Sequence, residues 1–186
     1  MSSFLVNIEG QKLIVTAGHF PQGSRDFEAV FTEPPMRARL TLASHKFDEA
    51  GTWDVAALKV NDPPSVEPYN PLSIASDAAF SVGDEVYIAG YPFPDVLQGY
   101  YGLTSPMLVV KKGVVGAKIA GRNGKGPLII LDVIWDMGMS GGPVIHARTG
   151  KVIGVIASRP LIDGTPIEIV TCPSGDQILR VIREHF

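Results

Sequence analysis

The chain has 186 residues, 45% of them apolar, with a net charge of −3 and a pI of about 5.8. That is length for one large β domain or two small barrels around a real core, and the composition excludes disorder. A mildly acidic surface gives no basis for nucleic-acid binding or attraction to an anionic membrane, and the longest apolar runs, such as Leu128–Val133, are strand-length and too short to span a bilayer.

In chain order, the first third reads as short strands: Phe4–Ile8, Lys12–Thr16, Ala29–Phe31, Arg37–Leu42 and Val55–Val60. Glu9-Gly10 marks a hairpin between the first two, and Arg37–Leu42 alternates polar and apolar as a half-buried strand should. Four prolines between Asn61 and Pro71 exclude a helix or central strand there and predict a connection between two halves. Strands resume near Glu85–Ala89, Met107–Val115, Leu128–Leu131, Val144–His146, Val152–Ala157 and Ile167–Thr171, with turn signals at Asn123-Gly124 and Thr149-Gly150. The expected division is a first unit over residues 1–77 and a second over 78–186. Ser174 followed by Gln177 has the spacing of a capping box, and Ile178, Leu179, Ile182 and Phe186 follow at helical spacing. A closing helix packed on the second half is predicted.

The N-terminal residues lack the basic region and apolar stretch of a secretory signal, and the single cysteine, Cys172, leaves no intrachain disulfide. A cytoplasmic, reducing setting is the corresponding expectation. The four histidines have no carboxylate or cysteine at ligand spacing, so no metal and no cofactor is expected. His45, His146 and His185 are read as surface residues and Cys172 as a buried small hydrophobe.

Three segments carry candidate chemistry. Val15-Thr16-Ala17-Gly18-His19 ends an apolar strand in a histidine, and Thr52-Trp53-Asp54 opens a strand with an acid. Gly138-Met139-Ser140-Gly141-Gly142 sets a serine on a glycine-rich turn. Each alone is an ordinary structural feature. Together they meet what a serine nucleophile needs: a base within hydrogen-bond reach, and an acid that orients the base. His19 would take the Ser140 proton, and Asp54 would fix the imidazole tautomer. The backbone amides of Gly138 and Ser140 would form an oxyanion hole, each donor lowering the barrier by on the order of 3–4 kcal/mol.

With these residues in the order His, Asp, Ser, the chain resembles the trypsin-like serine peptidase superfamily. Val82-Gly83-Asp84-Glu85-Val86-Tyr87-Ile88-Ala89-Gly90-Tyr91-Pro92, Gly113-Val114-Val115, and the run from Gly138 through Gly154-Val155 are similar to its bacterial-type branch, which includes the high-temperature-requirement proteases. The resemblance implies an all-β fold: two six-stranded antiparallel barrels with His19 and Asp54 on the first, Ser140 on the second, and a C-terminal helix. It implies a serine endopeptidase acting on polypeptide through an acyl-enzyme, with a regulatory domain or partner protein compatible with it. The alternative is a catalytically silent or partner-gated binding module on the same fold.

The chain also departs from the family pattern. Little sequence precedes His19, so either the first barrel is short of its opening strand or the N-terminus is trimmed. Met139 stands where digestive members carry an aspartate that pairs with a newly cut N-terminus, which excludes activation by that ion pair. Ala157 stands where a serine supports the triad aspartate, with Ser158 next. By the same resemblance Ile134 would lie at the base of the primary specificity pocket, with Ala157, Ser158 and Arg159 on its wall. A non-acidic base argues against cleavage after Lys or Arg, since a buried cation would lack a partner. The expectation is a small or medium apolar residue before the cut, or an acidic one if Arg159 points inward. Glu168 lies in the strand bordering the pocket, in a register the sequence leaves open.

Overall fold

The computed structural model describes residues 1–20, 23–32, 34–48, 52–121, 126–157, 161–162, 165–166 and 169–184. The Asn123-Gly124 turn, Ser158, Arg159, Ile167, Glu168, His185 and Phe186 lie outside them.

Strands β1 (Phe4–Ile8), β2 (Gln11–Thr16), β3 (Asp26–Thr32), β4 (Pro35–Phe47) and β5 (Asp54–Val60) form one antiparallel sheet in the order β1-β2-β5-β4-β3. The predicted first hairpin is present. Glu9 (φ 52°) and Gly10 (φ 84°) both take positive φ, the geometry of a two-residue turn whose twist matches its flanking strands.

The second sheet comprises β6 (Glu85–Gly90), β7 (Val109–Ile119), β8 (Leu128–Asp132), β9 (Pro143–His146), β10 (Val152–Val155) and β13 (Val170–Pro173), ordered β10-β9-β6-β7-β8-β13. A two-stranded ribbon, β11 (Leu161–Ile162) with β12 (Thr165–Pro166), stands apart. The fold is the mostly β, trypsin-like one expected. Among the described residues, however, the first sheet has five strands and not six. The proline-rich connection takes the free side of β1 in place of another strand: Leu72 pairs with Val6 and its N–H donates to the Leu5 carbonyl at 2.8 Å.

Three apolar clusters hold these elements. One fills the first sheet around Leu5, Ile14, Leu40 and Leu58, and another fills the second around Ile88, Ile129, Leu131 and Ile153. The third lies between them and takes Phe4, Val15, Trp53 and Val55 from the first half with Val152 and Val155 from the second. Into it helix α2 (Gly175–Arg183) buries Ile178, Val181 and Ile182. The helix is therefore present but packs across both halves, not on the second alone. Each such side chain gains roughly 1.5–3 kcal/mol by leaving water, so the helix contributes directly to joining the sheets.

The capping box does not form. Ser174 has the extended N-cap backbone but makes no side-chain cap bond. Gln177 is drawn into the core, where its Nε2 donates to the carbonyls of Thr52 (2.9 Å) and Pro127 (2.6 Å), one from each half. There its amide nitrogen has two carbonyl acceptors, while its Oε1 is buried without a partner among the described residues. A second helix, α1 (Pro94–Tyr101), follows β6 and was not predicted. It begins on Pro94 and follows Phe93, whose left-handed backbone (φ 41°) turns the chain out of the strand.

Candidate active site

Asp54 is the first residue of β5 and pairs with Phe47 of β4. Sheet pairing fixes its backbone, and the residue is 1% exposed. A buried carboxylate requires donors. His19 supplies two: its backbone N–H donates to Oδ1 at 2.8 Å, and its ring Nδ1 lies 2.9 Å from Oδ2 and 3.1 Å from Oδ1. With a proton on Nδ1, Nε2 is left as the basic nitrogen. The His19 pKa is raised above its ordinary 6.5. The hydrogen bond to Asp54 is the main cause, partial burial opposes it, and the carboxylate's charge adds to it.

Gly18 explains how His19 comes so close. A Cβ built there would lie 2.6 Å from the Lys46 carbonyl oxygen and 2.7 Å from the Val55 nitrogen. Only glycine lets the end of β2 lie against β4 and β5 at this point. Phe47 flanks the imidazole edge-on, with ring centroids 6.3 Å apart.

Ser140 lies on the turn entering β9, between Gly138 (φ 96°) and Gly141 (φ 86°). The loop is held by Met139 N–H to the Asp136 carbonyl (3.1 Å), Gly142 N–H to the Met139 carbonyl (3.0 Å) and Gly141 N–H to the Ile156 carbonyl (2.7 Å). Met139 is fully buried in the second-sheet core and so anchors the loop by packing. The Met137 carbonyl accepts from Phe93 N–H at 2.9 Å. In a trans peptide the N–H points opposite the carbonyl, so the Gly138 N–H is directed away from Phe93. Among the described residues the amides of Gly138 and Ser140 donate to no protein acceptor.

The Ser140 hydroxyl does not meet the imidazole in this state. It donates to the Ala157 carbonyl at 3.1 Å. Ala157 thus contributes through its backbone, in a role its side chain could not announce.

Ile134 is 74% exposed, which does not fit the base of an enclosed pocket. Its neighbours Val133 and Trp135 pack against the second core, while Ile134, beyond the end of β8, faces solvent. His146, expected on the surface, is 2% exposed: Nδ1 bonds Thr149 Oγ1 at 2.9 Å, and Nε2 lies 3.3 Å from Asp84 Oδ2. It lies on β9, where pairing with β6 and β10 brings it inside. His45 is exposed, and buried Cys172 has its thiol pKa pushed upward by burial. Among the described residues no group of His, Cys, Asp and Glu side chains could hold a metal ion, and no helix is long and apolar enough to cross a membrane.

Sequence reasoning missed Ser2. It is 2% exposed and touches the Ser140 loop at two points. Its N–H donates to the Ser140 carbonyl at 2.9 Å, and its hydroxyl donates to the Gly138 carbonyl at 2.7 Å. A serine ahead of the first strand has no local signal for this contact, because its partners lie more than a hundred residues away. Ser2 and Thr16 also wall a cavity of about 820 Å³, together with Phe27 and Phe31 of β3 and Met107.

The family profile described as a trypsin-like peptidase domain matches residues 1–155. The chain belongs to the trypsin-like peptidase family. Among solved structures it is similar to the HtrA-type protease AlgW with a decapeptide, at 19% identity and a TM-score of 0.71, over 97% of this chain and 50% of AlgW. It is also similar to an inactive form of the Rv3671c protease, at 18% identity and a TM-score of 0.69, over 98% of this chain and 81% of the other. The chain thus spans about half the length of AlgW. At these identities the likeness establishes the fold. No curated protein sequence matches.

Proposed function

We propose that this peptidase-family chain is a serine endopeptidase in which Ser140 is the nucleophile, His19 the general base and acid, and Asp54 the orienting acid. One observation carries the reading: a buried carboxylate holds His19 by both its backbone N–H and Nδ1, leaving Nε2 as the ring's basic site. The cleft would lie between the first barrel, residues 1–77, and the second, residues 78–186.

The Ser140 hydroxyl first leaves the Ala157 carbonyl by rotation about its Cα–Cβ bond. Oγ then attacks the scissile carbonyl carbon while its proton passes to His19 Nε2. The carbonyl π electrons move to oxygen, and the amides of Gly138 and Ser140 receive that oxyanion. Collapse re-forms the carbonyl and breaks the C–N bond, and the amine leaves with the proton from Nε2. Water repeats the sequence on the acyl-enzyme: its proton goes to Nε2, and Ser140 Oγ takes that proton as it leaves. Asp54 stays ionised throughout and stabilises the imidazolium. With Ile134 facing solvent, the apolar preference drawn from it loses its support, and the substrate class proposed is polypeptide.

The bond from Ser140 to Ala157 favours a second reading, a protease-fold module held silent until a partner protein or a regulatory domain acts on it. A fluorophosphonate probe separates the two. Labelling of the wild type that is lost in Ser140→Ala supports the peptidase. A folded wild type that takes no label refutes the active enzyme and favours the gated module.

A further inference from the structure

Ser2 makes four hydrogen bonds, two to the loop that carries the candidate nucleophile and one each to Thr16 and Tyr91. The hydroxyl donates to the Gly138 carbonyl at 2.7 Å and accepts from Tyr91 N–H at 2.9 Å. The backbone N–H donates to the Ser140 carbonyl at 2.9 Å, and the backbone carbonyl accepts from Thr16 Oγ1 at 2.8 Å. Thr16 closes β2, three residues before His19, and Tyr91 directly follows β6. Ser2 therefore ties the serine loop to the strand end that carries the base and to the central strand of the second sheet.

The fit around this side chain is close. A Cβ at Gly90 would lie 2.7 Å from the Ser2 hydroxyl oxygen, and one at Gly141 would lie 2.1 Å from the Ser2 carbonyl oxygen. Two glycines leave the space that Ser2 occupies. Ser2 is 2% exposed, and its hydroxyl is committed to these protein partners.

We infer that Ser2 is a positioning residue that holds the oxyanion donors of this site in place; the inference rests on the peptidase reading above. The oxyanion amides belong to the 137–138 and 139–140 peptides. Ser2 fixes the peptide after each: 138–139 through the Gly138 carbonyl, and 140–141 through the Ser140 carbonyl. Phe93 N–H fixes the 137–138 peptide itself. The Ser140 N–H is thus bracketed on both sides by bonds to one residue. Gly138, at φ 96° and without a side chain, has little intrinsic preference to hold it, so the bond to its carbonyl supplies the restraint. Preorganised donors act only if they are aimed before the charge develops, and a peptide free to rotate loses that aim.

The test uses the full chain and needs no identified substrate. Wild type, Ser2→Ala and Ser2→Cys are compared for fluorophosphonate inactivation, with Ser140→Ala as the blank, and hydrogen exchange is followed over residues 137–142. Cysteine is near in size but a weaker donor, and it keeps the variant set informative if alanine fails to fold. The expected result is a maximal inactivation rate about tenfold lower in Ser2→Ala, equivalent to about 1.4 kcal/mol, with Ser2→Cys between. The half-saturating probe concentration and the pH midpoint set by His19 should not move, because Ser2 does not touch the imidazole. Exchange over 137–142 should quicken. A folded Ser2→Ala that matches the wild-type rate within about twofold overturns the inference, as does a loss explained by a shifted pH midpoint. If the wild type itself takes no probe, the peptidase reading fails instead, and the exchange comparison decides whether Ser2 holds the loop.

Discussion

Replacing Asp54 by Asn tests the candidate site where its geometry is most defined. The carboxylate accepts from two donors of His19, the backbone N–H on Oδ1 and the ring Nδ1 on Oδ2. An asparagine of the same shape keeps one acceptor oxygen and replaces the other with an NH₂. If the oxygen stays on the backbone N–H, the NH₂ faces Nδ1 and forces it to be the acceptor. The ring proton then sits on Nε2, the nitrogen that must take the Ser140 proton. The fold should survive, because the swap is isosteric and neutral at a site that is 1% exposed. The rate should not: the wrong tautomer costs about 10⁴-fold, or roughly 5 kcal/mol of barrier. Fluorophosphonate inactivation measures the rate and circular dichroism the fold. A folded Asp54→Asn that reacts within about threefold of wild type would refute the assignment of the acid and the tautomer argument with it.

Two further outcomes follow from the same geometry. The raised His19 pKa means the imidazole stays protonated, and inactive as a base, to a higher pH than a free histidine. The rising limb of the inactivation rate should therefore have its midpoint above 6.5, and a midpoint at or below 6.5 in a pH series would contradict the Asp54 contact. By linkage, whatever stability His19⁺ contributes is fully present below the unfolded pKa and is lost as pH rises through the folded value. Gln177→Leu removes the amide shared by the Thr52 and Pro127 carbonyls; Pro127 keeps the Ser174 N–H, so the Thr52 carbonyl is the acceptor that loses its donor. Urea unfolding should show a loss of about 1–3 kcal/mol, and an unchanged midpoint would mean that neither bond stabilises the junction of the two halves.

Local chemistry made much of this protein legible before any coordinates. Alternating and continuous apolar runs located the strands, because burying a sheet face imposes a period of two wherever the chain pairs. Glu9-Gly10 announced its hairpin, and Val15–His19, Asp54 and Gly138–Gly142 were conspicuous because a nucleophile, a base and tight turns need particular residue types. The positive φ at Gly138 and Gly141 is the kind of feature a sequence can advertise, since glycine tolerates it best.

What the residues could not announce were the contacts made across the chain. Gln177 had the spacing of a cap, but two distant carbonyls drew it into the core. His146 looked like a surface histidine until β9 was flanked by β6 and β10. Ile134 was placed by analogy at the base of a pocket, yet it lies beyond the end of β8 and faces solvent while Val133 and Trp135 pack on the core. Ser2 had no motif at all. Sequence by itself determined which residues could do chemistry and which could form strands, because those properties belong to side chains and near neighbours. Tertiary structure alone decided who meets whom: a hydrogen bond extends about 3 Å, and only the folded chain brings a carbonyl and a hydroxyl from opposite ends within that distance.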